Sequence, residues 1–151
     1  MSKYNNSNIY KICCLDKNIE DLYIGSCIDF SKRKREHKYN CNNAMSKKYN
    51  YRVYKKIREN GGWNNFEMIK ILSFSCDSRR EKEKKERDYI NILNPTLNKN
   101  IPMRTLKEYR IDNRDNILLK QKIYDKSRVN EKREYDKKRR ETINLFKALP
   151  Y

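Results

Sequence analysis

Two short runs rich in isoleucine, tyrosine and cysteine constrain the fold of this chain more than any other feature. Residues 8–14 read NIYKICC and residues 22–27 read LYIGSC, and each run has the length and the residue types of a β-strand. The seven residues between them, LDKNIED, are polar and turn-prone, so we predict an antiparallel hairpin. Strand pairing would bring Tyr10 and Tyr23 close together, where they either line a site or pack at the edge of the core.

The segment after the hairpin is predicted to form a helix that begins near residue 30. Asp29 and Ser31 are both suitable N-cap residues. On such a helix Phe30, Arg33 and His37 recur at helical spacing and share one face. We expect this face to point towards the sheet. His37 is the one histidine of the chain, and a lone histidine is more often structural or exposed than catalytic.

The whole chain is strongly basic, with 37 Lys and Arg against 20 Asp and Glu and a formal net charge of +17. This excess favours a polyanion as partner, through electrostatic steering and counterion release. A ribosomal-type basic protein would have the same charge, so charge alone does not separate these classes. On the predicted helix, four basic side chains off the inward face are expected to contact nucleic acid: Lys32, Lys34, Arg35 and Lys38.

A second helix is predicted over residues 47–59. Tyr51, Tyr54 and Ile57 recur there at helical spacing, and residues 60–62, Asn-Gly-Gly, are the residue types that end a helix in a left-handed cap. The aromatic stripe either packs in the core or forms a stacking platform for nucleic acid. Flanking this helix, we expect a loop at residues 40–46 and a third strand at residues 66–72.

A third helix is predicted from about residue 79 to residue 92. Ser78 and Glu81 have the spacing of a capping box, and Asn94-Pro95 follows the end of the helix. Counting back from the apolar positions of the last turn places Glu86 on the inward face. A buried carboxylate is costly unless it is paired or binds a metal. The alternative is a surface glutamate bonded to a lysine.

Composition bounds the rest of the protein. Hydrophobic residues are 36% and charged residues 38%, so the core is small. The five cysteines contain no C-x-x-C pair, which gives little support for structural zinc and favours reduced thiols. The N-terminus is polar, and no apolar run approaches the ~18 residues of a membrane helix. We therefore expect a soluble, intracellular protein (cytoplasm or nucleus) with no membrane contact and no small-molecule organic cofactor.

The composition changes near residue 103, which predicts a domain at residues 1–102 and an extension at residues 103–151. The extension has 15 basic and 8 acidic residues, and from residue 104 to 147 it contains no Gly or Pro. Its sparse apolar residues cannot form a core. We expect either a long exposed helix or an arm that becomes ordered on a partner.

Five motifs in this order resemble the GIY-YIG endonuclease domain over about residues 7–100: Asn8-Ile9-Tyr10, Tyr23-Ile24-Gly25, Arg33 with His37, Glu86 followed by Tyr89-Ile90, and Leu97-Asn98. The resemblance implies an α+β fold with a small three-stranded antiparallel sheet flanked by helices, in agreement with the β-β-α-α-β-α order read from the residues. One motif departs from the family, because Asn8 stands where the family name has glycine. The tyrosine itself is retained, so we expect activity.

The resemblance also implies roles for individual residues. Glu86 would hold one divalent ion, Mg²⁺ or Mn²⁺, which prefers oxygen ligands. Tyr10 would deprotonate or orient the attacking water, and Tyr23 would bond to the water or the phosphate. Arg33 would stabilise charge on the transition state. His37 would help by proton transfer or phosphate contact.

Two further residues would position this site: Gly25 would allow a close approach of the backbone, and Asn98 would be led back to the site by the turn after the third helix. The predicted function is a metal-dependent DNA endonuclease that leaves a 5′-phosphate and whose basic extension aids DNA binding. The alternative is an inactive nucleic-acid-binding or packaging protein on the same scaffold. The first motif, the Asn-Gly-Gly-Trp turn at residues 60–63 and the composition of the extension also resemble proteins of large DNA viruses.

Overall fold

The computed structural model describes residues 2–147, and the side chains of residues 2–145. The chain divides into two compact units, residues 1–103 and residues 104–151. The first contains β1 (Ser7–Cys14), β2 (Leu22–Cys27), α1 (Phe30–Asn42), α2 (Arg52–Glu59), a short 3-10 helix (Trp63–Asn65), β3 (Phe66–Phe74) and α3 (Arg79–Leu93). The second contains α4 (Leu106–Asp112) and α5 (Arg114–Lys147). The predicted α+β class and element order are confirmed.

The three strands form one antiparallel sheet in the order β2-β1-β3. β1 and β2 form the predicted hairpin, in a register that places Tyr10 opposite Gly25. The pairing of β1 with β3 shifts its register between Ile9 and Tyr10, and such irregularities are common beside active sites. Because β1 is the central strand, β2 is an edge strand, and its side away from β1 pairs with no other strand of this sheet.

The two faces of the sheet are covered by different helices, because successive side chains of a strand point to opposite faces. Ile9 and Ile24 pack with Ile90 of α3. Tyr10 packs in the larger cluster on the other face, together with Tyr54 of α2. The sheet thus lies between α3 on one side and α2 on the other, with the small core divided between them.

The bounds of the first two helices differ from the prediction. Asp29 is the N-cap of α1 and accepts a hydrogen bond from the Lys32 N–H at 2.8 Å. The helix continues to Asn42, into the predicted loop, because Cys41 is completely buried and gains packing there. α2 begins only at Arg52. Residues 47–51 form turns with i to i−3 backbone bonds instead.

α3 begins at Arg79, and its N-cap Ser78 accepts a hydrogen bond from the Glu81 N–H at 3.2 Å, as predicted. In the second unit α4 begins with a capping box between Thr105 and Glu108. α5 is 34 residues long, and nearly all of its described side chains are exposed. The extension therefore takes the form of a long exposed helix. No helix within residues 2–147 combines the length and apolarity needed to span a bilayer.

Candidate active site

Residues from both faces of the sheet meet at the open edge formed by β2. A cavity of about 290 Å³ lies there, and Tyr10, Tyr23, Arg33 and Glu86 all line it. Tyr10 comes from the central strand, Tyr23 from the edge strand, Arg33 from α1 and Glu86 from α3. Because β2 has no neighbouring strand on its outer side within residues 2–147, groups from the helices on either face can reach the same space.

Tyr10 is the central hydrogen-bonding group of this cluster. Its hydroxyl accepts a hydrogen bond from Arg33 Nε at 3.1 Å and lies 2.8 Å from His37 Nε2. The residue is completely buried, and its ring lies 6.4 Å from the ring of Tyr23 between centroids. Burial raises the pKa of Tyr10 well above its ordinary value, with a further contribution from Tyr23. The phenol is therefore protonated at neutral pH, and Arg33 covers its oxygen.

His37 lies behind Tyr10 and is only 1% exposed. Its Nδ1 lies 3.0 Å from the hydroxyl of Tyr54, and its ring stacks on Trp63 at 6.2 Å with a 9° angle between the planes. Burial, with smaller contributions from the charges of Arg33 and Lys48, lowers its pKa to about 3. His37 is therefore neutral, so one ring nitrogen donates and the other accepts. His37 also lines a second cavity, together with Tyr23 and Arg33, and its predicted role, proton transfer or phosphate contact, stays a prediction.

Tyr23 and Arg33 provide hydrogen-bond donors at the cavity. Burial, and then the negative charge of Glu86, raise the pKa of Tyr23 to about 12, so its phenol keeps its proton. Burial acts to lower the pKa of Arg33, but Tyr10 and Glu36 outweigh it and raise the pKa overall. Arg33 also forms an ion pair with Glu36 at 3.0 Å. The cavity therefore contains a permanent positive charge beside a protonated phenol.

Glu86 contributes a carboxylate to the site, and Glu83 of the same helix also lines the cavity. Its Oε2 accepts a hydrogen bond from Ser26 Oγ at 2.5 Å, and Lys82 Nζ donates to the same serine oxygen at 2.8 Å. Burial raises the pKa of Glu86, while the Ser26 bond and the charge of Lys82 oppose that rise. Ser26 and Lys82 thus favour the ionised carboxylate that a metal ion requires.

The carboxylate of Glu86 fits an open Mg²⁺ site better than a closed zinc site. Within residues 2–147 no three His, Cys, Asp or Glu side chains cluster closely enough to enclose an ion, so a closed zinc-type site is not formed. Mg²⁺ is commonly bound through one or two carboxylates plus substrate phosphates and retains several waters. Glu86, at the wall of an open cavity, fits that second pattern.

A family model describes the same region of the chain. The model for the GIY-YIG catalytic domain matches residues 6–100. The chain belongs to the GIY-YIG family. This family is a family of nucleases, so its chemistry is phosphodiester cleavage. No curated protein and no solved structure is significantly similar to the chain, and the resemblance to viral proteins stays a prediction.

Gly25, the glycine of the second GIY-YIG motif, has no side chain and so leaves room for the phenol of Tyr10. A Cβ atom at Gly25 would lie 2.5 Å from the hydroxyl oxygen of Tyr10 and 3.0 Å from Cε1 of Tyr23. The group that approaches Gly25 closely is therefore the phenol of the paired strand. Its position opposite Tyr10 gives this buried phenol the space to reach Arg33 and His37.

Asn98 of the last GIY-YIG motif closes part of the open edge. Its Oδ1 accepts from the Ile24 N–H and its Nδ2 donates to the Ile24 carbonyl, both at 2.8 Å. The Leu97 N–H also donates to the Leu22 carbonyl at 3.0 Å. This segment therefore replaces a neighbouring strand and holds the backbone on both sides of Tyr23.

Asn8, the departure from the GIY-YIG pattern, takes a structural position. It is 2% exposed, its Nδ2 donates to the Asn6 carbonyl at 2.9 Å, and its Oδ1 accepts from Ser73 Oγ at 2.8 Å. Its side chain is satisfied and links β1 to β3.

The basic residues predicted to contact nucleic acid lie on α1. All four of their side chains are exposed: Lys32, Lys34, Arg35 and Lys38. They are therefore free to meet a polyanion, whereas Arg33 of the same helix points into the cavity.

Four residues near the site were not recognised in the sequence. Ser26 directly follows the motif glycine, and Lys82 precedes Glu86 by one helical turn, so spacing could have placed both beside the carboxylate. Tyr54 was expected only as part of an aromatic stripe. Trp63 carried no signal, because its contact with His37 depends on the tertiary packing of α1 against the 3-10 helix.

Proposed function

We propose that this protein is a metal-dependent DNA endonuclease. The observation that carries the proposal is that Tyr10, Tyr23, Arg33 and Glu86 all line one cavity at the edge of β2. A guanidinium, a protonated phenol and a carboxylate around one cavity match the requirements of phosphodiester hydrolysis. The net charge of +17 favours a polyanionic substrate.

The scissile phosphate would bind between Arg33 and Glu86. Arg33 would contact its non-bridging oxygens and stabilise the negative charge that develops in the transition state. Tyr23 would donate a hydrogen bond to the same phosphate or to the water, since its pKa of about 12 keeps the phenol protonated. Glu86 would hold a single Mg²⁺ or Mn²⁺ ion. When bound, this ion would act as a Lewis acid and stabilise negative charge on the phosphate oxygens.

Tyr10 is buried beneath Arg33, so its access to water depends on that arginine. Phosphate binding would draw the Arg33 guanidinium away and expose the Tyr10 hydroxyl. The Tyr10 hydroxyl would then donate a hydrogen bond to His37 Nε2 and accept one from the attacking water, which it would orient. Because the pKa of His37 is about 3, the imidazole would stay neutral, and the proton that the attacking water loses would go to solvent.

The reaction would join the water oxygen to phosphorus and break the bond between phosphorus and the 3′ oxygen, which takes up a proton from solvent. The products would be a 5′-phosphate and a 3′-hydroxyl, as the family resemblance implies. Gly25 and Asn98 would position the tyrosines, and the basic side chains Lys32, Lys34, Arg35 and Lys38, together with the C-terminal extension, would contact DNA phosphates.

The decisive experiment compares DNA cleavage by the wild type, Glu86→Gln and Asp88→Asn. Asp88 is an exposed carboxylate two residues further along the same helix, so its variant removes the same charge away from the cavity. We expect the wild type and Asp88→Asn to nick or linearise plasmid DNA in Mg²⁺, EDTA to stop the reaction, and Glu86→Gln to be inactive. A wild type that leaves supercoiled, linear and single-stranded DNA intact in Mg²⁺ and Mn²⁺ would favour the non-catalytic binding protein instead.

A further inference from the structure

A second and larger cavity adjoins the nuclease site. Its volume is about 670 Å³, and Tyr23 and Arg33 line both cavities. The larger cavity is lined by one acidic residue, Glu59. Besides Arg33, its lining contains five basic residues: Lys48, Arg52, Lys55, Lys56 and Lys99. A strand of DNA with its scissile phosphate at Arg33 would therefore continue into a basic space.

An exposed aromatic ring lies at this cavity. Tyr51 is 54% exposed and stacks on the buried Tyr54, with 6.5 Å between ring centroids and 19° between the planes. The helical spacing of the two tyrosines left open whether they pack in the core or bind nucleic acid. Because α2 begins at Arg52, Tyr51 lies just before the helix and escapes the buried face on which Tyr54 lies. Tyr54 packs against one face of the Tyr51 ring. The exposed face of the Tyr51 ring is available for stacking on a base.

We propose that this cavity binds an unpaired nucleotide next to the scissile phosphate, with its base stacked on Tyr51 and its phosphate near the basic residues. The inference rests on the proposed function and adds the substrate class, namely DNA with a single-stranded segment at the cut. Base stacking on an aromatic side chain requires a free base face. A paired base in duplex DNA presents only its edges in the grooves. The cavity volume also falls in the range of a small ligand, which suits a nucleotide.

Binding is tested with the full chain in the Glu86→Gln background, so that cleavage does not interfere. Fluorescence anisotropy compares a blunt duplex with the same duplex carrying a single-stranded extension. We expect the extended duplex to bind more tightly. Tyr51→Ala should weaken its binding by roughly ten- to a hundredfold, whereas Tyr51→Phe should preserve it and the blunt duplex should be unaffected. Tyr39→Ala is the matched control: Tyr39 is 59% exposed and lies outside this cavity, beside Lys32 and Arg35, so its loss should affect both duplexes equally.

A second readout reports stacking directly. With 2-aminopurine as the first unpaired base, binding should quench its fluorescence in the protein that retains Tyr51 and in Tyr51→Phe, and not in Tyr51→Ala. Equal affinity of the two duplexes, equal binding by Tyr51→Ala, or unquenched fluorescence would each overturn the inference. Failure of the nuclease proposal would be seen separately, as absent cleavage by the wild type while the Tyr51-dependent binding persists.

Discussion

The hydroxyl of Tyr10 and the Nε2 of His37 lie 2.8 Å apart in the core of the first unit. The pair connects the cavity at the edge of β2 to a buried, neutral imidazole whose other nitrogen contacts Tyr54. This arrangement makes His37 a hydrogen-bond partner of Tyr10. It also makes the stability of the fold depend on the protonation of one histidine.

Acid should destabilise the protein through His37. Its folded pKa of about 3 lies below the unfolded value of ~6.5, so the unfolded state binds the extra proton first. The stability is therefore fully present above pH ~6.5 and falls towards pH ~3, by up to about 1.4 kcal/mol per pH unit. Urea unfolding from pH 7 to pH 4 measures this slope. His37→Gln should remove this contribution, and an unchanged slope in that variant would contradict the account.

Gly25→Ala should damage both stability and cleavage. The new methyl group would lie 2.5 Å from the Tyr10 hydroxyl, and overpacking in a core typically costs about 1–3 kcal/mol. Urea unfolding and plasmid cleavage measure the two effects. The control is Gly62→Ala, where an added Cβ meets no atom within 4 Å but the φ of +85° strains the backbone. It should lose stability while retaining the activity of the folded protein.

Asn98→Ala should loosen the edge strand locally. It removes two hydrogen bonds of 2.8 Å to the backbone of Ile24, each of which contributes about 0.5–1.5 kcal/mol. Hydrogen exchange of the Ile24 amide should become faster, together with a loss of cleavage activity. Lys99→Ala, at the exposed neighbouring position, should leave the exchange of Ile24 unchanged. Full protection of Ile24 in Asn98→Ala would show that Asn98 does not hold this strand.

Ser26→Ala should shift the acid limb of the pH–rate profile to higher pH. The hydrogen bond from Ser26 opposes the effect of burial on the pKa of Glu86, so its removal raises that pKa further. A protonated carboxylate does not bind a metal ion, and activity is then lost at a higher pH. Titration of the Glu86 carboxyl carbon by NMR gives the shift independently. Ser73→Ala removes a serine bond to Asn8 elsewhere in the sheet and should leave the profile in place.

Neutralising basic residues of α5 should reduce the salt dependence of DNA binding. Lys137, Lys138, Arg139 and Arg140 are consecutive and exposed, and replacement of all four by glutamine keeps good helix formers in place. For every phosphate that the variant no longer neutralises, the slope of log K against log salt should fall by about 0.9. Affinity measurements between low and moderate salt give this slope. An unchanged slope would mean that this part of α5 does not bind DNA phosphates.

Local patterns in the sequence were sufficient for most of the elements. The two β-type runs, the N-cap at Asp29 and the cap at Ser78 lie where short-range propensity and side-chain bonding place them. The end of α1 and the start of α2 could not be found in this way. They depend on the burial of Cys41 and on turns in residues 47–51, and neither has a local signature.

The sequence by itself determined the strands, the helices and the residue types available for phosphodiester chemistry, because hydrophobic period, capping and spacing act over a few residues. Only the tertiary structure decided which groups meet. The strand order left β2 at an edge, where Arg33 and Glu86 line one cavity from different helices. Packing also buried His37 and left Tyr51 exposed, because burial depends on contacts between segments far apart in the chain.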